Sequence, residues 1–124
     1  MKLISNNTYD ELVRAAEAAR DRHPQHHSRK REQAYCSTLL AGLIDQAGEE
    51  IRPEDLREGD WLVYARTINY GTRKYPYYLR VIYTQNLSQD TLDNHRTKSG
   101  FVWHGRYKGD GTRIYDSEVL AVVR

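Results

Sequence analysis

The sequence predicts an α+β fold, an N-terminal helical hairpin packed on a small five-stranded antiparallel barrel. Three observations carry this. Apolar residues recur at helical spacing as far as Ala47, the period changes to two from Trp61 onward, and an acidic connector holding Pro53 and Gly59 separates the two regimes. The expected organisation is a helical hairpin over 1–48, a connector over 49–59 and a β half over 60–124, joined as one compact unit.

Thr8-Tyr-Asp-Glu11 matches a capping box, with the Thr8 hydroxyl available to an orphan amide and Glu11 three residues on. Behind it Tyr9, Leu12, Val13, Ala16 and Ala19 form one stripe, predicting a first helix over about 8–22 that His23-Pro24 stops. Ser28 is placed to cap a second helix over 29–47, whose stripe of Tyr35, Leu39, Leu40, Leu43, Ile44 and Ala47 ends at Gly48. Candidate strands follow at 61–69, 76–85, 101–108, 112–116 and 118–123, with Asp110-Gly111 as a hairpin turn signal. The long polar segment Asn86 to Gly100 has room for one helical turn starting at Ser88.

A chain of 124 residues can bury a core without a staple, and its single cysteine, Cys36, excludes an internal disulfide and suits a reducing cytoplasm. The opening MKLISNNTYDEL is too short in apolar residues for a secretion signal, and no run approaches a membrane span. The formal net charge of +2 hides an asymmetry. Residues 1–59 hold nine basic against eleven acidic side chains, and residues 60–124 ten against six. Eight of the ten tyrosines also fall in the second half, which directs an anionic or aromatic-seeking partner there.

The richest stretch is Thr67 to Tyr83, with five tyrosines and three basic residues. Strand alternation puts Tyr75, Tyr77, Leu79, Val81 and Tyr83 on one face, expected to join the core with Trp61, Val63, Ala65, Phe101, Trp103 and Tyr107. The opposite face then reads Tyr64, Arg66, Tyr78, Arg80, His104 and Arg106, where phenols can stack on bases while guanidinium groups meet phosphates. The same residues also suit a protein interface, or a solvated sheet face with no partner. The tip Tyr70-Gly-Thr-Arg73-Lys74-Tyr75 is the stronger contact candidate, because a loop cannot hide that many rings and charges.

A second basic patch, Arg29, Lys30 and Arg31, follows His23, His26 and His27 at the bend between the helices. Those histidines lack a second ligand cluster at a zinc spacing, so neither metal nor cofactor is expected. Cys36 lies beside an apolar stripe and reads as a small buried hydrophobe. No nucleophile elbow, metalloprotease helix, phosphate loop or dinucleotide fingerprint is present, which points away from an enzyme. His95, Arg96 and Lys98 join the contact candidates as members of a long polar loop.

The phrase Asp55-Leu-Arg-Glu-Gly-Asp-Trp-Leu-Val63 resembles the opening strand of SH3-like barrels, which implies that architecture for the β half. The chain as a whole, through its size and its capped opening helix MKLISNNTYDELVRAAEAAR, resembles small phage or prophage accessory proteins. That resemblance implies a protein of the bacterial host cytosol that acts by binding, including the blocking of host or defence machinery. The leading expectation is therefore a non-enzymatic protein contacting nucleic acid or a nucleoprotein through Tyr64, Arg66, Tyr70, Arg73, Lys74, Tyr78, Arg80, His104 and Arg106. An inhibitor or adaptor directed at a host protein is the alternative, and a virion assembly component is the third. The oligomeric state stays open at this level.

Overall fold

The first ordered element is one the periodicity does not announce: Lys2–Ile4 forms a short strand, β1. The computed structural model describes residues 1–22, 29–98, 100–104 and 111–124, with the side chains of 29–31, 70 and 102–104 outside that description. Helix α1 runs Asn6–Asp21 and is capped by Ser5, not Thr8. Ser5 is extended, and its hydroxyl accepts from the Thr8 amide at 3.1 Å, so Thr8 already lies in the first turn. The chain leaves α1 through Arg22, whose amide donates to the Ala18 carbonyl at 3.2 Å. The expected stop at His23-Pro24 and the Ser28 cap lie outside the described residues. Helix α2 spans Arg29–Ala47, as its apolar stripe predicts, and the Gly48 amide closes it on the Ile44 carbonyl at 2.9 Å.

The connector contributes strand β2 (Glu49–Glu50) and a 3-10 turn over Pro53–Asp55. Two long strands follow, β3 (Trp61–Gly71) and β4 (Pro76–Asn86). Helix α3 (Gln89–Asn94) then begins where expected, with the Ser88 hydroxyl accepting from the Thr91 amide at 3.1 Å. Strands β5 (Arg96–Thr97), β6 (Gly100–His104) and β7 (Gly111–Tyr115) form a small sheet of their own, and β8 (Val119–Val123) completes the chain's regular structure. The expected 101–108 strand is described as far as His104, and Asp110 of the turn signal lies outside the description. Among the described residues no helix is long and apolar enough to cross a membrane.

The strands do not close into one antiparallel barrel. They form a five-stranded sheet in the order β2-β1-β8-β3-β4 and a three-stranded sheet in the order β5-β6-β7. The larger sheet is mixed, because β1 runs parallel to β8, with Lys2 opposite Ala121 and Ile4 opposite Val123. A parallel neighbour needs a long crossover, and the two helices with the whole intervening chain provide it.

Both faces of the large sheet are covered at its centre, around β8 and the first half of β3. On one, α1 and α2 press Ala16, Leu40 and Ile44 against Val63, Ala121 and Val123. On the other, Phe101 and Ile114 of the small sheet pack with Leu87, Ile51 and Val119 against Leu62, Tyr64 and Val122. Leu62, Val63 and Tyr64 are consecutive and all buried, which a strand permits only when both of its faces are dry. Trp61, expected in the core, is 47% exposed where the covered zone begins.

Candidate functional site

Strand β8 stops pairing with β3 at Tyr64, after a register shift. From Ala65 to Gly71, β3 keeps β4 as its only strand partner among the described residues. Seven residues at strand rise make a ribbon roughly 23 Å long. Its outer end is wet: every residue from Gly71 to Tyr78 is exposed. Gly71 makes the turn possible. Its φ of +116° is a conformation L side chains avoid, and a Cβ there would collide with the Tyr75 carbonyl oxygen. Inside the turn the Tyr75 amide donates to the Thr72 hydroxyl at 3.0 Å.

The pairing register separates residues that alternation alone had grouped. Directly opposed residues share a face, and Tyr64 opposes Tyr83 while Arg66 opposes Val81. Arg80 opposes Thr67 and Tyr78 opposes Asn69, which puts them on the other, helix-side face. Tyr64, Arg66, Tyr78 and Arg80 therefore do not form one surface.

Tyr64 is also withdrawn from contact. It is 8% exposed, and its ring stacks on Tyr83 at 5.7 Å with 27° between the planes. Burial pushes its phenol above the ordinary tyrosine range, an effect the nearby Arg66 partly offsets. Arg66 lies over the Tyr64 ring at 5.3 Å, reaches Glu118 at 3.5 Å and donates to the Arg113 carbonyl. Those contacts tie the ribbon's base to the turn before β8.

At the tip the expected candidates stand free. Arg73 and Lys74 are exposed, and neither forms an ion pair among the described residues. Tyr78 is 66% exposed, and Tyr75, which alternation had assigned to the core, is 69% exposed. Lys74 sits 5.5 Å from the Tyr75 ring centroid. The signal that identifies Tyr75 is its neighbour: Pro76 opens β4, and a residue before proline at a ribbon end has no core to reach. Leu79 and Val81 are buried as alternation required, whereas Tyr77 and Tyr83, expected beside them in the core, are exposed. Arg80 is half-buried. The Tyr70 side chain, His104, Arg106 and the patch Arg29, Lys30 and Arg31 lie outside the described side chains.

The loop candidates are occupied elsewhere, except Lys98, which is exposed. Arg96 stacks over Phe101 at 4.3 Å and pairs with Asp116 at 3.4 Å, while His95 meets Asp90 at 3.2 Å. Between the helices and β4 lies a cavity of about 560 Å³ lined by Tyr9, Val13, Cys36, Leu40 and Ile82 and crossed by an Arg20–Glu32 contact of 3.4 Å. Burial raises the Cys36 thiol above its ordinary value despite the opposing charge of Arg20. Among the described residues no three histidine, cysteine or carboxylate side chains gather as a metal site. Comparisons with family models, with curated proteins and with solved structures gave no match, so the ribbon and its tip rest on their own geometry.

Proposed function

We propose that this chain is a non-enzymatic binding protein whose β3–β4 ribbon contacts nucleic acid. The observation that carries the reading is charge purity. From Trp61 to Gln89 the sequence has no aspartate or glutamate, yet it holds Arg66, Arg73, Lys74 and Arg80. The two of these at the tip carry no internal counter-ion among the described residues; Lys74 lies 5.5 Å from the exposed Tyr75 ring, and the exposed Tyr78 follows in β4. Cations meet phosphates and rings stack on bases, a combination that tolerates any sequence and favours unpaired strands.

Fluorescence anisotropy with a labelled single-stranded oligonucleotide, titrated across salt, tests this. Binding falls log-linearly with salt, and replacing Arg73 and Lys74 together by Ala removes about two phosphate contacts from the slope. Tyr75→Ala and Tyr78→Ala each weaken binding by about tenfold, in line with the loss of one stacked base. Binding that ignores salt, or that survives the double substitution unchanged, overturns the reading and favours a protein partner.

A further inference from the structure

The two edges of the large sheet carry opposite charge. At one edge is β4 with the basic tip; at the other is β2, where Glu49 and Glu50 are exposed. Glu49, Glu50, Glu54 and Asp55 line one open groove of about 500 Å³ together with the apolar Leu3, Ile51 and Leu56 and the cations Arg57 and Arg124. Part of this charge is already answered. Glu50 is paired with Lys2 at 3.1 Å and with the N-terminal ammonium at 3.2 Å, Asp55 with Arg52 at 3.3 Å, and Arg124 in the groove wall with Asp60 at 3.0 Å. Glu49 and Glu54 are exposed and form no ion pair among the described residues.

We propose that this groove receives the β3–β4 tip of a second copy of this chain. Arg73 and Lys74 meet Glu49 and Glu54, and the Tyr75 ring covers the groove's apolar residues. Charge complementarity selects the occupant: among the described residues the groove keeps two unpaired carboxylates, Glu49 and Glu54, against one unpaired cation, Arg57, around apolar residues, and the tip offers two unpaired cations and an exposed ring. The tip cannot serve its own groove. Four strand spacings, roughly 19 Å, separate the two edges, and the ribbon carries the tip roughly 23 Å further along the strands. The contact is therefore heterologous, and repetition joins copies head to tail. Nucleic acid and a second copy compete for the same tip, yet this inference rests on charge placement and stands or falls apart from the nucleic-acid reading.

Sedimentation velocity on nuclease-treated protein tests it, over a concentration series in low and high salt. The wild type associates with rising concentration in low salt and separates in high salt. The tip variant Arg73→Glu/Lys74→Glu and the groove variant Glu49→Lys/Glu54→Lys each associate at least about tenfold more weakly, because tip and groove then carry like charge. An equimolar mixture of the two variants regains association, since the acidic tip of one fits the basic groove of the other. A wild type that stays monomeric throughout overturns the proposal. So does a mixture that stays monomeric while both variants keep the wild-type circular dichroism spectrum. The groove variant keeps its tip and hence its nucleic-acid binding, so a failure of either reading is visible separately.

Discussion

Arg124 grips Asp60 with two nitrogens: Nε donates to Oδ1 and Nη2 to Oδ2, both at 3.0 Å. Asp60 is 2% exposed and also accepts from the Arg57 amide at 2.9 Å, while Arg124 reaches the Asp55 carbonyl at 3.2 Å. The carboxylate in turn raises the guanidinium further above its ordinary value. One bidentate pair thereby fastens the connector, the start of β3 and the strand β8 at a single point, where the Arg124 amide also donates to the Ile4 carbonyl at 3.1 Å.

Arg124→Ala strands a buried carboxylate with one amide for company and costs about 2–3 kcal/mol, less than a fully buried pair because the arginine is partly wet. Asp60→Asn keeps the shape and one acceptor and costs less. Urea denaturation of both single variants and the double measures the coupling. Near-additive effects would show that the two side chains do not act as a unit.

This pair, like β1 and β2, was not legible in the sequence, for a physical reason. A strand of two or three residues has no room to display a period, and a contact across 64 positions leaves no local trace. The helices were legible because α2 repeats its apolar residues over five turns, and α3 because Ser88 offers a cap before a short polar run. The candidate surface was half legible. Alternation did not tell which face is dry, since Trp61, Tyr75, Tyr77 and Tyr83 are exposed while Tyr64 is buried. The register that joins the strands is set by the turn at Gly71, and it moves Tyr78 and Arg80 away from Tyr64 and Arg66. The run Trp61-Leu-Val-Tyr64 already hinted that β3 is dry on both sides, since an uninterrupted apolar run does not suit a half-wet strand.

Alkaline pH tests the burial of three groups together. Tyr9, Cys36 and Tyr64 are each raised, first of all by burial. A group whose folded value lies above its unfolded one contributes stability that is complete below the unfolded value and is lost as pH rises through the folded one. The unfolded values are about 8.5 for cysteine and about 10 for tyrosine. The urea midpoint should therefore hold from neutrality to about pH 8 and decline above that. Tyr64→Phe flattens the upper part of the decline; a midpoint indifferent to pH in this range would contradict the burial.

Cys36 should react slowly. Only the thiolate attacks a disulfide reagent, and burial in the wall between α1 and α2 disfavours it. At neutral pH the rate with an aromatic disulfide should fall at least about fivefold below that of a small free thiol, and denaturant should restore it. A native rate equal to the denatured one would mean that the thiol faces solvent.

Phe101 is the pin between the two sheets. It is fully buried, pairs through β6 with Ile114 of β7, and carries the Arg96 guanidinium on its face. Phe101→Ala opens a cavity at the junction and costs about 3–5 kcal/mol, whereas Phe101→Leu retains much of the volume and costs roughly half as much. Thermal denaturation gives the order, and equal effects would place the stabilisation in the ring's contact with Arg96 and not in its volume.

The tip depends on Gly71, and that dependence separates its shape from its charge. Alanine there keeps every cation and ring but forces a side chain into positive φ and against the Tyr75 carbonyl, at a cost of about 1–3 kcal/mol. The ribbon can relieve that cost by fraying from Gly71 and Pro76 inward, so the midpoint of global unfolding should move little while amide exchange accelerates across the tip. If Arg73 and Lys74 bind phosphates only as charge, Gly71→Ala leaves the salt slope of oligonucleotide binding intact and lowers affinity modestly. If the turn presents Tyr75 and Tyr78 as a stacking pair, affinity falls by about the same factor as removing a ring. A Gly71→Ala protein with unchanged exchange at Thr72 to Tyr75 would refute the strained turn itself, because a Cβ cannot be accommodated there without moving the backbone that holds the tip.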